Sequence, residues 1–172
     1  ELMANARVLK VFHAARQDLE IFLKLGGALP QSVFDTQIAA MACGYGDSIA
    51  YDALVSSVLK QRIDKSSRFT DWTRRPLSPA QLEYAISDVT HLCKVFENLT
   101  ARIAKSERSH WVEEEMAALK SPSLYRLEPA DAWKRLKPRT GNKKFLAILA
   151  SIAGWRETEA QTRDIPRNRI LK

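Results

Sequence analysis

The chain is poor in cysteine and glycine and has no long apolar run. Its two cysteines, Cys43 and Cys93, stand among 172 residues with neither C-x-x-C spacing nor a histidine pair beside them, which argues against a zinc site. Both lie inside apolar helical patterns, so two buried thiols are expected. No Gly-rich phosphate loop is present, and neither His13 nor His91 has the spacing of a triad with a serine. No apolar stretch approaches the roughly 18 to 20 residues that cross a bilayer. The opening ELMANARVLK also lacks the apolar core and small-residue cleavage site of a signal peptide. The expectation is a globular chain with no membrane partner and, by default, a cytoplasmic address.

What is present is a core-forming composition with a lopsided charge. At 45% hydrophobic, the chain is long enough for one domain, or one domain and a piece of another. The net charge is +7, yet residues 1–100 hold 11 basic and 11 acidic side chains, while residues 101–172 hold 16 and 9. A neutral part joined to a basic part fits chemistry in one and a polyanion held by the other, although a solvated basic surface without a partner has the same signature.

Periodicity places the elements. RVLKVFHA (7–14) reads as a buried strand and ARQDLEIFLKLGG (15–27) as a helix with a Gly-Gly stop. SVFDT (32–36) repeats the strand, and a helix follows it. A further helix is predicted around 51–62, then a polar, proline-marked loop over 64–79. From Ala80 to about Lys105 the spacing gives one long amphipathic helix, its apolar stripe centred near Ala85, Val89 and Phe96. Another helix is predicted over 106–121, a basic connecting region over 122–144 with a domain boundary in it, and a helix over 145–165.

Tyr84 and Asp88, one turn apart, lie together at the border of that stripe. A carboxylate there suits a metal at a cleft edge, and a phenol one turn away suits a water or phosphate beside that metal. From the helix alone, a half-buried tyrosine next to a solvated aspartate is the simpler reading, because Y-x-x-x-D is a weak pattern. Asp18 falls in the first turns of a helix that follows a buried strand, where ligands of open α/β sheets gather, or where an acid simply favours a helix N-terminus. Hard oxygens without paired histidine favour Mg²⁺, with Mn²⁺ able to substitute.

The segments VFHAARQDLEIFL, FDTQIAAM, DKSSRFTDWTRRPLSPAQLEYAISDVTHL and WRETEAQTRDIPRNRIL together resemble the ribonuclease D family. These are 3′→5′ exoribonucleases of the DEDD superfamily, in its tyrosine-containing branch. The resemblance implies an α/β fold: a partial ribonuclease H-like exonuclease domain, mostly helical, over 1–105, a helix and basic linker over 106–144, and the beginning of a helical HRDC domain over 145–172. It implies Asp18 and Asp88 as metal ligands and Tyr84 as the group that orients the attacking water, with two Mg²⁺ or Mn²⁺ ions in the complete enzyme. Lys65, Asp71, Trp72 and Arg75 match the loop before Tyr84, as substrate contacts or as residues that hold the loop.

The family's first motif, an Asp-x-Glu, is not found upstream of Asp18. A fragment short of two of four metal-binding carboxylates is therefore expected, inactive by itself. The partner implied is RNA, tRNA precursors and other structured RNAs, with a monomer favoured. Lys134, Arg135, Lys137, Arg139, Lys143 and Lys144 crowd into eleven positions and are the expected phosphate contacts. The alternative is a catalytically inactive RNA-binding module.

Overall fold

Two short runs of apolar and β-branched residues pair in parallel. In the computed structural model, which describes residues 1–171, strands β1 (Lys10–Phe12) and β2 (Val33–Asp35) place Lys10 opposite Val33 and Phe12 opposite Asp35. A parallel pair needs a crossover, and α1 (Arg16–Gly26) supplies it. That helix ends where Gly27 takes a left-handed φ of 71° and its N–H closes on the Leu23 carbonyl, a conformation glycine adopts without strain. β1 is shorter than the predicted 7–14. The chain before it turns at Asn5 and Val8, and the buried Lys10 ammonium donates to the carbonyls of both residues at 2.8 Å.

Four helices complete this unit: α2 (Thr36–Ala42), α3 (Tyr51–Leu59), α4 (Pro79–Ala104) and α5 (Ser109–Leu119). α4 packs on α2, α3 and β1, and α5 packs on α2 and β2. Leu19, Leu54, Val55, Val95 and Leu99 are fully buried, each worth about 1.5–3 kcal/mol by removal from water. The unit runs Glu1–Pro122, and a second begins at Ser123. The first is thus a mostly helical α/β arrangement.

The long helix is where expected, but it is rotated. Its buried residues are Gln81, Val95, Leu99 and Ile103, whereas Leu82, Ile86 and Val89 are exposed. At roughly 100° per residue, the buried face lies about 60° from the predicted centre, on the side of Asp88 and Tyr84. Hydrogen bonds draw the polar Gln81 inward, and nothing among the described residues packs over the Leu82–Val89 side. The same exposed side carries Cys93, so the expectation of two buried thiols fails: Cys93 is exposed and Cys43 half-buried.

The second unit pairs a 3-10 segment, Pro129–Leu136, with α6 (Lys143–Arg163), and a one-turn α7 (Arg167–Ile170) folds onto α6. Gly154 sits where a Cβ would lie 3.2 Å from the Pro129 carbonyl oxygen, a tight contact that a larger residue would make only with a small shift of that backbone. The Glu157 carboxylate is 3% exposed and bridges to Arg167 and Gln161. The stretch 106–144 is shared between the units, α5 in the first and the 3-10 segment in the second. No described helix is long and apolar enough to cross a membrane.

Candidate active site

α4 starts on a reciprocal cap. The Ser78 hydroxyl accepts from the Gln81 amide at 3.3 Å, the Gln81 side-chain oxygen accepts from the Ser78 amide at 2.9 Å, and Pro79 opens the helix. One turn later stands Tyr84, and a turn beyond it Asp88. The ring of Trp72, from the loop before the helix, packs on Tyr84 with centroids 5.9 Å apart. That loop is tied to α4 by the Gln81 amide group, which donates to the Thr70 hydroxyl and the Asp71 carbonyl, both at 3.1 Å.

Asp88 carries the most telling feature. Its Oδ1 is buried and has no hydrogen-bond partner, and burial pushes its carboxyl above the ordinary value, opposed by His91. A buried carboxylate oxygen without a donor is costly unless a cation meets it. The donor chemistry therefore fits a hard divalent ion. Tyr51 of α3 donates to the Asp88 main-chain carbonyl at 2.5 Å, and its phenol is pushed well up by burial and then by Asp88, Cys93 and Tyr84. Tyr51, Tyr84 and Asp88 thus form one cluster.

Asp18 lies in the first turn of α1, exposed, its carboxyl raised by partial desolvation and by Asp35. The turn that presents it is set by Asp35. That carboxylate, 3% exposed, accepts from the amides of Ala14 (3.0 Å), Ala15 (2.8 Å) and Gln37 (2.7 Å), capping α2 while it fixes the entry to α1. Ala14 holds a left-handed φ of 57° there, strain that the buried carboxylate offsets. His13 closes the same corner. Its Nε2–H donates to the Ile49 carbonyl, its Nδ1 lies 3.0 Å from the Thr36 hydroxyl, and its ring leans on Tyr51. Burial lowers its basicity, opposed by Asp35 and by the Ile49 bond.

The structure therefore gathers Tyr84, Asp88 and Trp72, and it sets Asp18 on the neighbouring strand–helix corner beside Asp35. Among the described residues, no three His, Cys, Asp or Glu side chains group as a metal-holding cluster. Lys65 pairs with Asp52 at 2.6 Å, Asp71 accepts from Thr73, and Arg75 donates to the carbonyls of Trp72 and Arg74. In the second unit Lys134 pairs with Asp131. Sequence reasoning missed Asp35, Tyr51 and Gln81. Two had signals: an aspartate immediately before a helix, and the S-x-x-Q pattern of a capping box.

A sequence profile described as 3′-5′ exonuclease matches residues 1–104, which contain every residue of this site. The chain belongs to the 3′-5′ exonuclease family. This exonuclease-family chain is 58% identical to the ribonuclease D of Nitrobacter hamburgensis over its whole length, covering 45% of that relative. It superposes on the crystal structure of Escherichia coli RNase D, an exoribonuclease involved in structured RNA processing, with a TM-score of 0.85 at 32% identity, covering 98% of this chain and 45% of that one. Brucella melitensis NrnC, solved with bound Mg²⁺ and bound to pGG, matches with a TM-score of 0.63 at 29–30% identity, covering 83% of this chain and 67% of that one. The resemblance to ribonuclease D read from the sequence is borne out. The chain spans less than half the length of the curated relatives it matches.

Proposed function

We propose that this chain works in a metal-dependent 3′→5′ exoribonuclease that removes nucleotides from RNA 3′ ends, tRNA precursors and other structured RNAs among them. The observation that carries this reading is the buried, unpartnered Oδ1 of Asp88, one helical turn from Tyr84, inside the family match. Asp18 and Asp88 are the residues that would hold Mg²⁺ or Mn²⁺, and NrnC with bound Mg²⁺ supports that choice of ion. When bound, two such ions supply charge stabilisation at the attacking and leaving oxygens. Tyr84 orients the attacking water through its hydroxyl, with Trp72 holding the ring. Lys65, Asp71 and Arg75 keep the loop in shape through their contacts with Asp52, Thr73 and the Trp72 carbonyl. Residues 1–105 belong to the exonuclease domain on this reading, 106–144 to a helix and linker, and 145–172 to the start of an HRDC domain. Lys134, Arg135, Lys137, Arg139, Lys143 and Lys144 hold RNA phosphates.

The basic excess confined to residues 101–172 favours a second reading, in which the 172 residues bind RNA without cutting it. One assay addresses both. A labelled 3′-hydroxyl oligoribonucleotide is incubated with Mg²⁺ or EDTA, using the chain alone and the chain carried in a protein of the relatives' full length. With two candidate ligand carboxylates, the chain alone is expected to bind without releasing mononucleotides. The longer protein should release them only with metal, Asp18→Asn and Asp88→Asn should abolish release, and Tyr84→Phe should lower turnover by roughly 10²- to 10⁴-fold with binding kept. Metal-independent release, or full turnover in Asp88→Asn, would falsify the exonuclease reading.

A further inference from the structure

The loop between α3 and α4 carries an aromatic ring that the site described above does not use. Phe69 is 89% exposed, more than any other large apolar side chain among the described residues. Single exposed apolar residues are ordinary on protein surfaces, but three observations set this one apart. First, it is held. Phe69 sits inside the turn Ser67–Thr70, which is closed by the Thr70 amide and hydroxyl on the Ser67 carbonyl at 3.3 and 2.8 Å. Ser67 is buried, and Gln81 fastens Thr70 and Asp71 to the first turn of α4. Second, one face of the ring carries a cation, the Arg68 guanidinium 5.2 Å from its centroid, while the high exposure leaves the rest open. Third, Trp72 lies three residues on and packs against Tyr84.

The local charge selects the kind of partner. Residues 60–75 carry six cations, Lys60, Arg62, Lys65, Arg68, Arg74 and Arg75, against Asp64 and Asp71, so this loop is basic while the rest of the first hundred residues, with 5 basic and 9 acidic side chains, is acidic. An apolar peptide would gain nothing from those cations, whereas a single-stranded polyanion with flat bases uses both ring and charge. A π-face accepts any base, so such a contact suits an enzyme that moves along its substrate one nucleotide at a time.

We propose that Phe69, with Arg68 on one of its faces, is a base-stacking platform for single-stranded RNA, receiving a nucleotide near the 3′ end that reaches Tyr84. The proposal rests on the exoribonuclease reading. Phe69 packs on nothing that the fold needs, so Phe69→Ala leaves the fold intact, and the platform is tested by binding of short 3′-hydroxyl oligoribonucleotides to the 172-residue chain. Affinity should fall by about 5- to 150-fold in Phe69→Ala, the loss expected for one base–aromatic stack, with the salt slope unchanged and with recovery in Phe69→Trp. A scan of abasic sites along the oligonucleotide should find one position, close to the 3′ end, where the wild-type chain loses affinity and Phe69→Ala loses none. Equal losses for both proteins at every position, or Phe69→Ala binding as tightly as wild type, overturn the platform and leave the exoribonuclease reading standing. A wild-type chain that binds no RNA removes the platform, while the catalytic reading is still judged by metal-dependent release from the longer protein.

Discussion

Asp35 directs both carboxylate oxygens at main-chain amides, Oδ1 to Ala14 and Gln37 and Oδ2 to Ala15. Asparagine has the same shape but offers one acceptor, so its NH2 group must confront at least one of those amides. Hydrogen bonds to charged groups contribute about 1.5–3 kcal/mol and an unsatisfied buried donor costs about 1–3 kcal/mol. Asp35→Asn is therefore expected to lower unfolding stability by about 2–4 kcal/mol in a denaturant titration. A second readout is electrostatic. Asp35 helps to raise the Asp18 carboxyl, so an NMR titration of the variant should find Asp18 shifted toward its ordinary value. An unmoved Asp18 would mean that Asp35 only holds the turn. At this scale the sequence was legible where helical spacing alone sets the geometry, as with Tyr84 and Asp88 one turn apart on α4. It was not legible where a contact joins distant positions: nothing local announces that Tyr51 reaches the Asp88 carbonyl 37 residues away.

Helices were legible in extent but not in orientation. The predicted 80–105 became Pro79–Ala104 because a Ser-Pro pair is a local helix-start signal. Which side of that helix is buried depends on where α2, α3 and β1 lie, and this periodicity cannot supply. In the second unit the predicted 145–165 became Lys143–Arg163, and the final turn α7 was missed because its anchor is a tertiary ion pair. That pair makes the attachment of α7 to α6 depend on pH. Arg167, and then Gln161, hold the buried Glu157 carboxyl below its ordinary value, so the folded form prefers the ionised group. The sign follows from linkage: the stabilisation is fully present above the unfolded glutamate value, near 4.3, and is lost as pH falls through the lower folded value. Glu157→Gln is expected to destabilise this unit by about 1–3 kcal/mol at neutral pH and to flatten the acid limb of its melting profile. An acid limb as steep as wild type would place the titrating group elsewhere.

For the whole molecule, the proposed division of labour puts chemistry in the neutral part and RNA binding in the basic part. Residues 134–172 carry 11 basic and 3 acidic side chains. The structure refines which of the six clustered cations are available. Lys134 is paired with Asp131, and the Arg135 charge helps to hold Glu157 ionised, so removing either disturbs more than RNA binding. Among the described residues, Lys137, Arg139, Lys143 and Lys144 enter no ion pair, which makes their side chains the cleaner set to replace. Each phosphate neutralised on a single strand contributes about −0.7 to the slope of log K against log salt. Changing these four to glutamine should flatten that slope by roughly 2 to 3 units, and affinity should fall alike for unrelated RNA sequences, because phosphate contacts carry little sequence information. The same experiment separates the two nucleic-acid contacts proposed for this chain. Loss of Phe69 should weaken binding at every salt concentration by a constant factor, since stacking releases few counterions, whereas loss of the four cations should weaken it most at low salt. If the quadruple variant keeps both slope and affinity, the cluster serves solubility alone, and the basic loop between α3 and α4 becomes the principal grip on RNA.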